Sequence, residues 1–163
     1  MSLATLPAPT SHSTPPTTGS HREVHTLFGP LSVDRAHVLT FADGLLGFPA
    51  QREWLVLASD RPQAAWLQSA ETPELALLLV DPFAAFPGFS VMVPSDAQRA
   101  LRAVPTDDVA VFAPVTLGAE GVPATANLCG LILINWRTRT GVQCVIDGGA
   151  WSVRSTVPAG VLD

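Results

Sequence analysis

The sequence predicts a mainly β protein, an antiparallel β-barrel or strongly curled roll with one short helix. Three observations carry that reading. Short apolar runs rich in β-branched residues recur along the chain, separated by Gly, Pro, Asp and Ser turn signals. A single segment, beginning at Pro94-Ser95-Asp96, has apolar residues at helical spacing. The most apolar pair of runs, 128–134 and 142–146, flanks a short polar connection ending in Gly141, the pattern of a β-hairpin.

The rest of the chain is organised around that hairpin. Leu131, Ile132, Leu133 and Ile134 are apolar in succession, so both faces of their strand meet something dry. Burying roughly eight aliphatic side chains contributes about 1.5–3 kcal/mol each. Fixing roughly twenty residues costs about 1–2 kcal/mol each, so the hairpin is a seam against other strands and not a free-standing unit. One face belongs to the core; the other needs a covering element or a partner protein.

At 163 residues the chain fits one domain with a real core. Residues 1–22 are Ser, Thr, Pro and His with few large apolar groups, too little to offset ordering entropy, and read as a disordered N-terminal tail. Residues 23–163 read as a single β-barrel domain. Val24, Thr26 and Phe28 alternate with polar neighbours, Gly29-Pro30 marks a turn, and Leu31 and Val33 resume, giving a first hairpin. A short strand over 36–41 leads into the loop 42–49. There Gly44 and Gly47 call for positive φ or close backbone approach, and Leu45 and Phe48 read as plugs beside them.

Strands follow over 54–59 and 64–69, split by a turn at Asp60-Arg61-Pro62. Another covers 75–80, stopped by Asp81-Pro82 because proline has no N–H for a ladder. Residues 89–93 are a further extended piece. The helix then places Ala97, Leu101 and Val104 on one face, and Pro105 ends it. A strand over 108–117, a turn over 118–121, the apolar hairpin and a closing strand over 150–155 complete the chain. About nine or ten short strands at this spacing indicate a barrel or curled sheet. Closure also removes the exposed edges that invite aggregation.

The net charge is −5 and all nine cationic residues are Arg, scattered along the chain. Such a domain has no footprint for phosphate backbones, so direct nucleic-acid binding is not expected and a basic protein partner is. No apolar run approaches the length that crosses a bilayer. The N-terminus lacks the basic start and apolar core of a secretory leader, which points to the cytoplasm. Cys129 and Cys144 lie on the two arms of the hairpin; spacing leaves a disulfide open, while the non-secretory context favours buried thiols.

The search for chemistry comes up empty. His12 and His21 fall in the tail, and His25 and His37 sit in different elements with no ligand-spaced partners, so no metal site is expected. Ser69 has no glycine elbow or activating base. The Gly44 to Gly47 loop lacks the Lys-Ser/Thr ending of a phosphate loop. Asp81, Asp107, Asp108 and Asp147 fall at strand ends, where Asp makes turns. The expectation is no catalytic residue, no cofactor and no enzyme. Of the four tryptophans, Trp136 at a hairpin tip is the one positioned to touch a partner.

Several segments together resemble the flagellar assembly factor FliW family: 41–48 with its Phe41, Gly44, Gly47 and Phe48; 66–69 with Gln68; 75–83; 125–135 with Asn127; and 141–143 with Gln143. Order and spacing match from about Val24 to Arg154. The resemblance implies a small non-enzymatic barrel that binds flagellin in the cytoplasm. When free of flagellin it would bind the carbon storage regulator CsrA and antagonise it allosterically, relieving repression of flagellin synthesis. Two departures stand out. Where the family has Tyr followed by acidic residues, this chain has Phe89-Ser90-Val91-Met92, with Asp96 the nearest carboxylate; where it has Ala-Pro after Asn-Leu, this chain has Cys129-Gly130-Leu131.

Residue roles follow from both readings. Phe41, Leu45, Phe48, Leu128, Ile132 and Ile134 are expected in the core. Gln68 and Asn127 sit in apolar strand contexts, where an amide must find partners; they are expected to lock loops to the barrel, with direct partner contact as the other role. Phe89, Ser90, Met92 and Asp96 are expected to border the surface for CsrA. Leu128, Cys129, Leu131, Leu133 and Trp136 are expected to form an apolar outer face for flagellin. The competing classes are a small barrel enzyme and a barrel enclosing a ligand.

Overall fold

A computed structural model describes residues 20–147 and 149–163. The tail reading for residues 1–19 lies outside them. The first strands, β1 (His21–Thr26) and β2 (Gly29–Asp34), form a hairpin in register from His21↔Asp34 to Thr26↔Gly29. His21 and Arg22 thus belong to the strand and not to the tail. The turn falls at Leu27-Phe28, two residues before the expected Gly29-Pro30. The Thr26 hydroxyl sets it, donating to the Gly29 carbonyl at 2.7 Å and accepting from the Phe28 amide at 3.1 Å.

The remaining strands are β3 (Leu39–Thr40), β4 (Glu53–Ala58), β5 (Ala64–Ser69), β6 (Ala76–Val80), β7 (Val109–Thr116), β8 (Thr125–Ala126), β9 (Gly130–Asn135), β10 (Thr140–Val145) and β11 (Ser155–Thr156). The circuit β3-β4-β5-β6-β7-β9-β10 returns to β3 and closes a 7-strand barrel. Every pairing in it is antiparallel except β10 with β3, which are parallel at Thr140↔Thr40. Closure happens within β7, whose residues 109–112 pair with β9 while 113–115 pair with β6. The pairs β7–β8 and β8–β11 extend the sheet outside the ring.

The long strands match the apolar runs to within two residues. The expected extended piece 89–93 has no ladder partner, and the expected strand 36–41 resolves into a 3-10 turn (Arg35–His37) followed by the two residues of β3. The expected closing strand 150–155 shrinks to β11. Two short helices replace the single one expected: α1 (Pro82–Ala85) precedes α2 (Ser95–Ala100). Asp81 does more than end β6. Its carboxylate caps α1 by accepting from the amides of Phe83 at 2.9 Å and Ala84 at 3.3 Å, with Pro82 in the first helical position.

Apolar side chains form three clusters. Phe41, Trp54, Val56, Leu67, Ile132 and Ile134 fill the barrel with others. Val24 and Val33 of the first hairpin pack on Leu55 and Leu57, capping the outer face of β4. The third cluster covers the outside of β9: Leu128, Leu131 and Leu133 lie under Phe86, Phe89, Leu101 and the C-terminal Val157 and Val161. All six residues of β9 are buried.

That third cluster corrects two expectations. Leu128, Leu131 and Leu133, with exposures of 2%, 0% and 1%, do not form an open outer face for flagellin, because the chain's own α2 region and C-terminus supply the covering element. Phe89, 8% exposed, does not border a surface: its ring packs at 5.1 Å from Phe83 and 5.4 Å from Trp151. A third correction concerns Phe48, expected in the core but 37% exposed. Its backbone bridges Leu45 in both directions while Gly47 takes φ +85°, so the tight loop turns Leu45 inward and Phe48 outward.

Candidate functional site

Side-chain amides pin the loops to the barrel. Gln68 is fully buried; its Oε1 accepts from the Leu27 amide at 3.0 Å, and its Nε2 donates to the carbonyls of Ser69, Pro73 and Leu75. One residue thereby ties the first hairpin tip and the β5–β6 connection to the same wall. Asn127 Oδ1 accepts from the amides of Cys129 and Gly130, and Gln143 bridges the Leu46 amide at 2.8 Å and the Gly130 carbonyl at 3.1 Å. Gly130 makes room for this: a Cβ there would meet Asn127 Nδ2 at 2.7 Å and Gln143 Nε2 at 3.2 Å. At Gly141 the Phe41 ring occupies the place of a side chain, since a Cβ would lie 2.1 Å from Cζ.

A polar staple holds the α2 region on the apolar hairpin. Arg137 donates to Asp107 through Nε at 2.6 Å and a terminal nitrogen at 2.9 Å, and Asp107 also accepts from Asn135 Nδ2 at 2.8 Å and the Val104 amide at 3.0 Å. The Asp107 side chain is only 4% exposed. The Arg137 guanidinium holds its carboxyl well below the usual range, helped by the Val104 and Asn135 donors and opposed by burial.

Between α2 and β10 runs an open groove of about 540 Å³. Pro94, Asp96, Ala97 and Ala100 form one wall, residues 142–145 the other, and Asp43 stands at the rim. A smaller hollow of about 80 Å³ prolongs it beside Gly44 and Gly141. Asp43 and Asp96 are exposed, and among the described residues neither has an ion-pair partner. Asp96 caps its own turn by accepting from the Ala97 amide at 2.9 Å, where a carboxylate also favours the helix start. Burial, and then the Asp96 charge, push the Cys144 thiol up.

The structure gathers some of the expected partner residues here and disperses others. Asp96 lines the groove, Met92 is 88% exposed two residues before its wall begins, and Ser90 is exposed, while Phe89 is interior. Cys129 is half-buried with its thiol 3.3 Å from the Trp151 carbonyl, and Trp136 packs half-buried against the barrel cluster. The two cysteines are free, because the register sets Cys144 opposite Leu131 and not Cys129. Sequence reasoning missed Asp43, Val142 and Val145; the signal for Asp43 was its place beside Gly44. Asp107 was taken for a turn former, and its Arg137 partner lies 30 residues away.

Among the described residues no three His, Cys, Asp or Glu side chains come together as metal ligands, and no helix is long and apolar enough to cross a membrane. What the geometry offers is a filled barrel, a pinned set of loops and an acidic-rimmed groove along a strand edge.

The model of the family described as "FliW protein" matches residues 23–157. The flagellar assembly factor FliW of Moorella thermoacetica is 37% identical over 129 residues, covering 78% of this chain and 82% of that one. That of Geobacter sulfurreducens is 31% identical over 129 residues, covering 79% and 81%. A crystal structure of the flagellar assembly factor FliW superposes with a TM-score of 0.78 at 25% identity, spanning 86% of this chain and all of the other. These relatives are named as assembly factors and not as enzymes, and with a match running from the first hairpin to the last strand, this chain belongs to the FliW family.

Proposed function

We infer that this protein acts in the cytoplasm as a flagellar assembly factor that binds flagellin and, when free of it, binds CsrA and relieves repression of flagellin synthesis. It works by surface complementarity and not by turnover. The observation that carries this reading is the groove between α2 and β10. It is rimmed by two unpaired carboxylates on a protein of net charge −5, which suits a basic regulator, and it lies beside the exposed Met92 and Val145, which suit an amphipathic partner. The barrel interior, filled by Trp54, Phe41 and aliphatic side chains, leaves the outer surface as the place of action.

Isothermal titration with purified CsrA tests it. Charge reversal by Ser90→Arg together with Asp96→Arg is expected to weaken binding at least tenfold with an unchanged melting temperature, since both side chains are exposed. Unchanged affinity removes this surface from the regulator site. Flagellin binding is measured in parallel. Because Leu128, Leu131 and Leu133 are interior, the flagellin contact is assigned to the exposed apolar residues near the groove, Leu46, Met92 and Val145.

A further inference from the structure

The β10 edge facing the groove is unfinished. The Ile146 amide donates to the Cys129 carbonyl at 2.7 Å, which makes Cys129–Ile146 a bonded pair of the antiparallel ladder. Counting in twos along the register, Cys144–Leu131 and Val142–Leu133 are the other bonded pairs there. Gln143 and Val145 therefore turn their N–H and C=O groups away from β9. On that side β3 pairs only at Thr140↔Thr40, where the Thr40 amide meets the Arg139 carbonyl. Past that point the outward backbone groups of Gln143 and Val145 have no backbone partner among the described residues, and the Val145 carbonyl meets only the Cys144 thiol at 4.0 Å.

Exposed edges are commonly blunted by Lys, Pro, a bulge or a covering element. Here Val142, Gln143, Cys144 and Val145 include none of those residues, and the space where a neighbouring strand would lie is the groove itself. The two open residues repeat along the edge at about 7 Å, the spacing at which an added strand exchanges bonds with alternate residues.

We propose that this edge takes an extended, Lys- or Arg-bearing segment of a partner protein as an added strand, hydrogen-bonded to Gln143 and Val145 and flanked by Asp43 and Asp96. The choice of occupant rests on charge. Both carboxylates at the rim are unpaired among the described residues, and the Asp96 field reaches Cys144 on the groove wall, so an acidic strand is repelled and a basic one attracted. The proposal deepens the partner-binding reading above and rests on it.

The test is amide hydrogen exchange by NMR on the full chain, alone and with saturating purified CsrA, then with flagellin. The expected result is at least tenfold slower exchange of the Gln143 and Val145 amides with CsrA. Val145→Pro, which removes an outward donor without breaking a β9 ladder bond, is expected to weaken CsrA binding at least tenfold. Should that variant fold poorly, the exchange measurement on the wild-type chain decides alone. CsrA binding with both amides exchanging at the free rate overturns strand addition and leaves the partner reading standing; failure of both proteins to bind overturns both. Protection already present in the free chain overturns the proposal too. It assigns the edge to residues 1–19 if their removal abolishes it, or to a second copy if it grows with protein concentration.

Discussion

At the scale of single residues, fixation recurs through polar side chains that each serve two elements. Gln68 joins the first hairpin to the β5–β6 loop, Gln143 joins the Gly44 loop to the apolar hairpin, and Asp107 joins the α2 region to Arg137 and Asn135. Asp107 is the titratable one. Its folded carboxyl is held below the ordinary value of 3.8, so it contributes stability that is fully present above that pH and is lost as pH falls below it. The stability gap between wild type and Asp107→Asn is therefore expected to be largest near neutrality and to shrink steadily below about pH 4. Urea unfolding of both proteins from pH 7 to pH 2.5 measures it, and a gap independent of pH means that the Arg137 contact is not what Asp107 contributes.

At the scale of elements, the seam formed by β9 explains what the sequence could and could not reveal. Four consecutive apolar residues say that both faces of the strand are dry, and they are. They do not say what provides the cover, because that depends on where 86–101 and 157–161 return, and neither segment carries a periodic signal. The same limit applies to β3, β8 and β11, each two residues long: their pairing is set by neighbouring register and not by their own composition. Longer strands such as β5 could be read to the residue because their apolar content is local. At the groove, Asp96 was legible as a helix-start acid, whereas the open edge depends on counting bonds across a register. One consequence separates cover from contact. Leu133→Ala removes a side chain packed in the outer cluster and is expected to cost about 2–5 kcal/mol of stability. Any loss of flagellin binding should then follow the folded fraction alone. A folded, fully stable Leu133→Ala protein that fails to bind flagellin would return this strand to the docking surface.

At the scale of the whole molecule, the barrel is a poor candidate for rearrangement: its lumen is packed, its ring is closed, and its loops are tied to it by buried amides. Exchange between partners is then governed by how each approaches and leaves a fixed surface. The two proposed partners should differ in their sensitivity to salt. A basic regulator is drawn to a surface of net charge −5 and to the Asp43–Asp96 rim, and that attraction is screened beyond about 10 Å at 0.1 M salt and beyond about 3 Å at 1 M. An amphipathic flagellin segment held by Leu46, Met92 and Val145 depends on buried apolar area, which moderate salt changes little. Raising NaCl from 0.05 to 0.5 M is therefore expected to slow CsrA association by about tenfold, with dissociation nearly unchanged. Flagellin association should move much less over the same range, so that rising salt shifts competition toward flagellin. Stopped-flow mixing with each partner reads both rates. Reversing both rim charges with Asp43→Arg and Asp96→Arg should flatten the CsrA dependence, and a dependence that survives the reversal places the steering charges elsewhere on the surface.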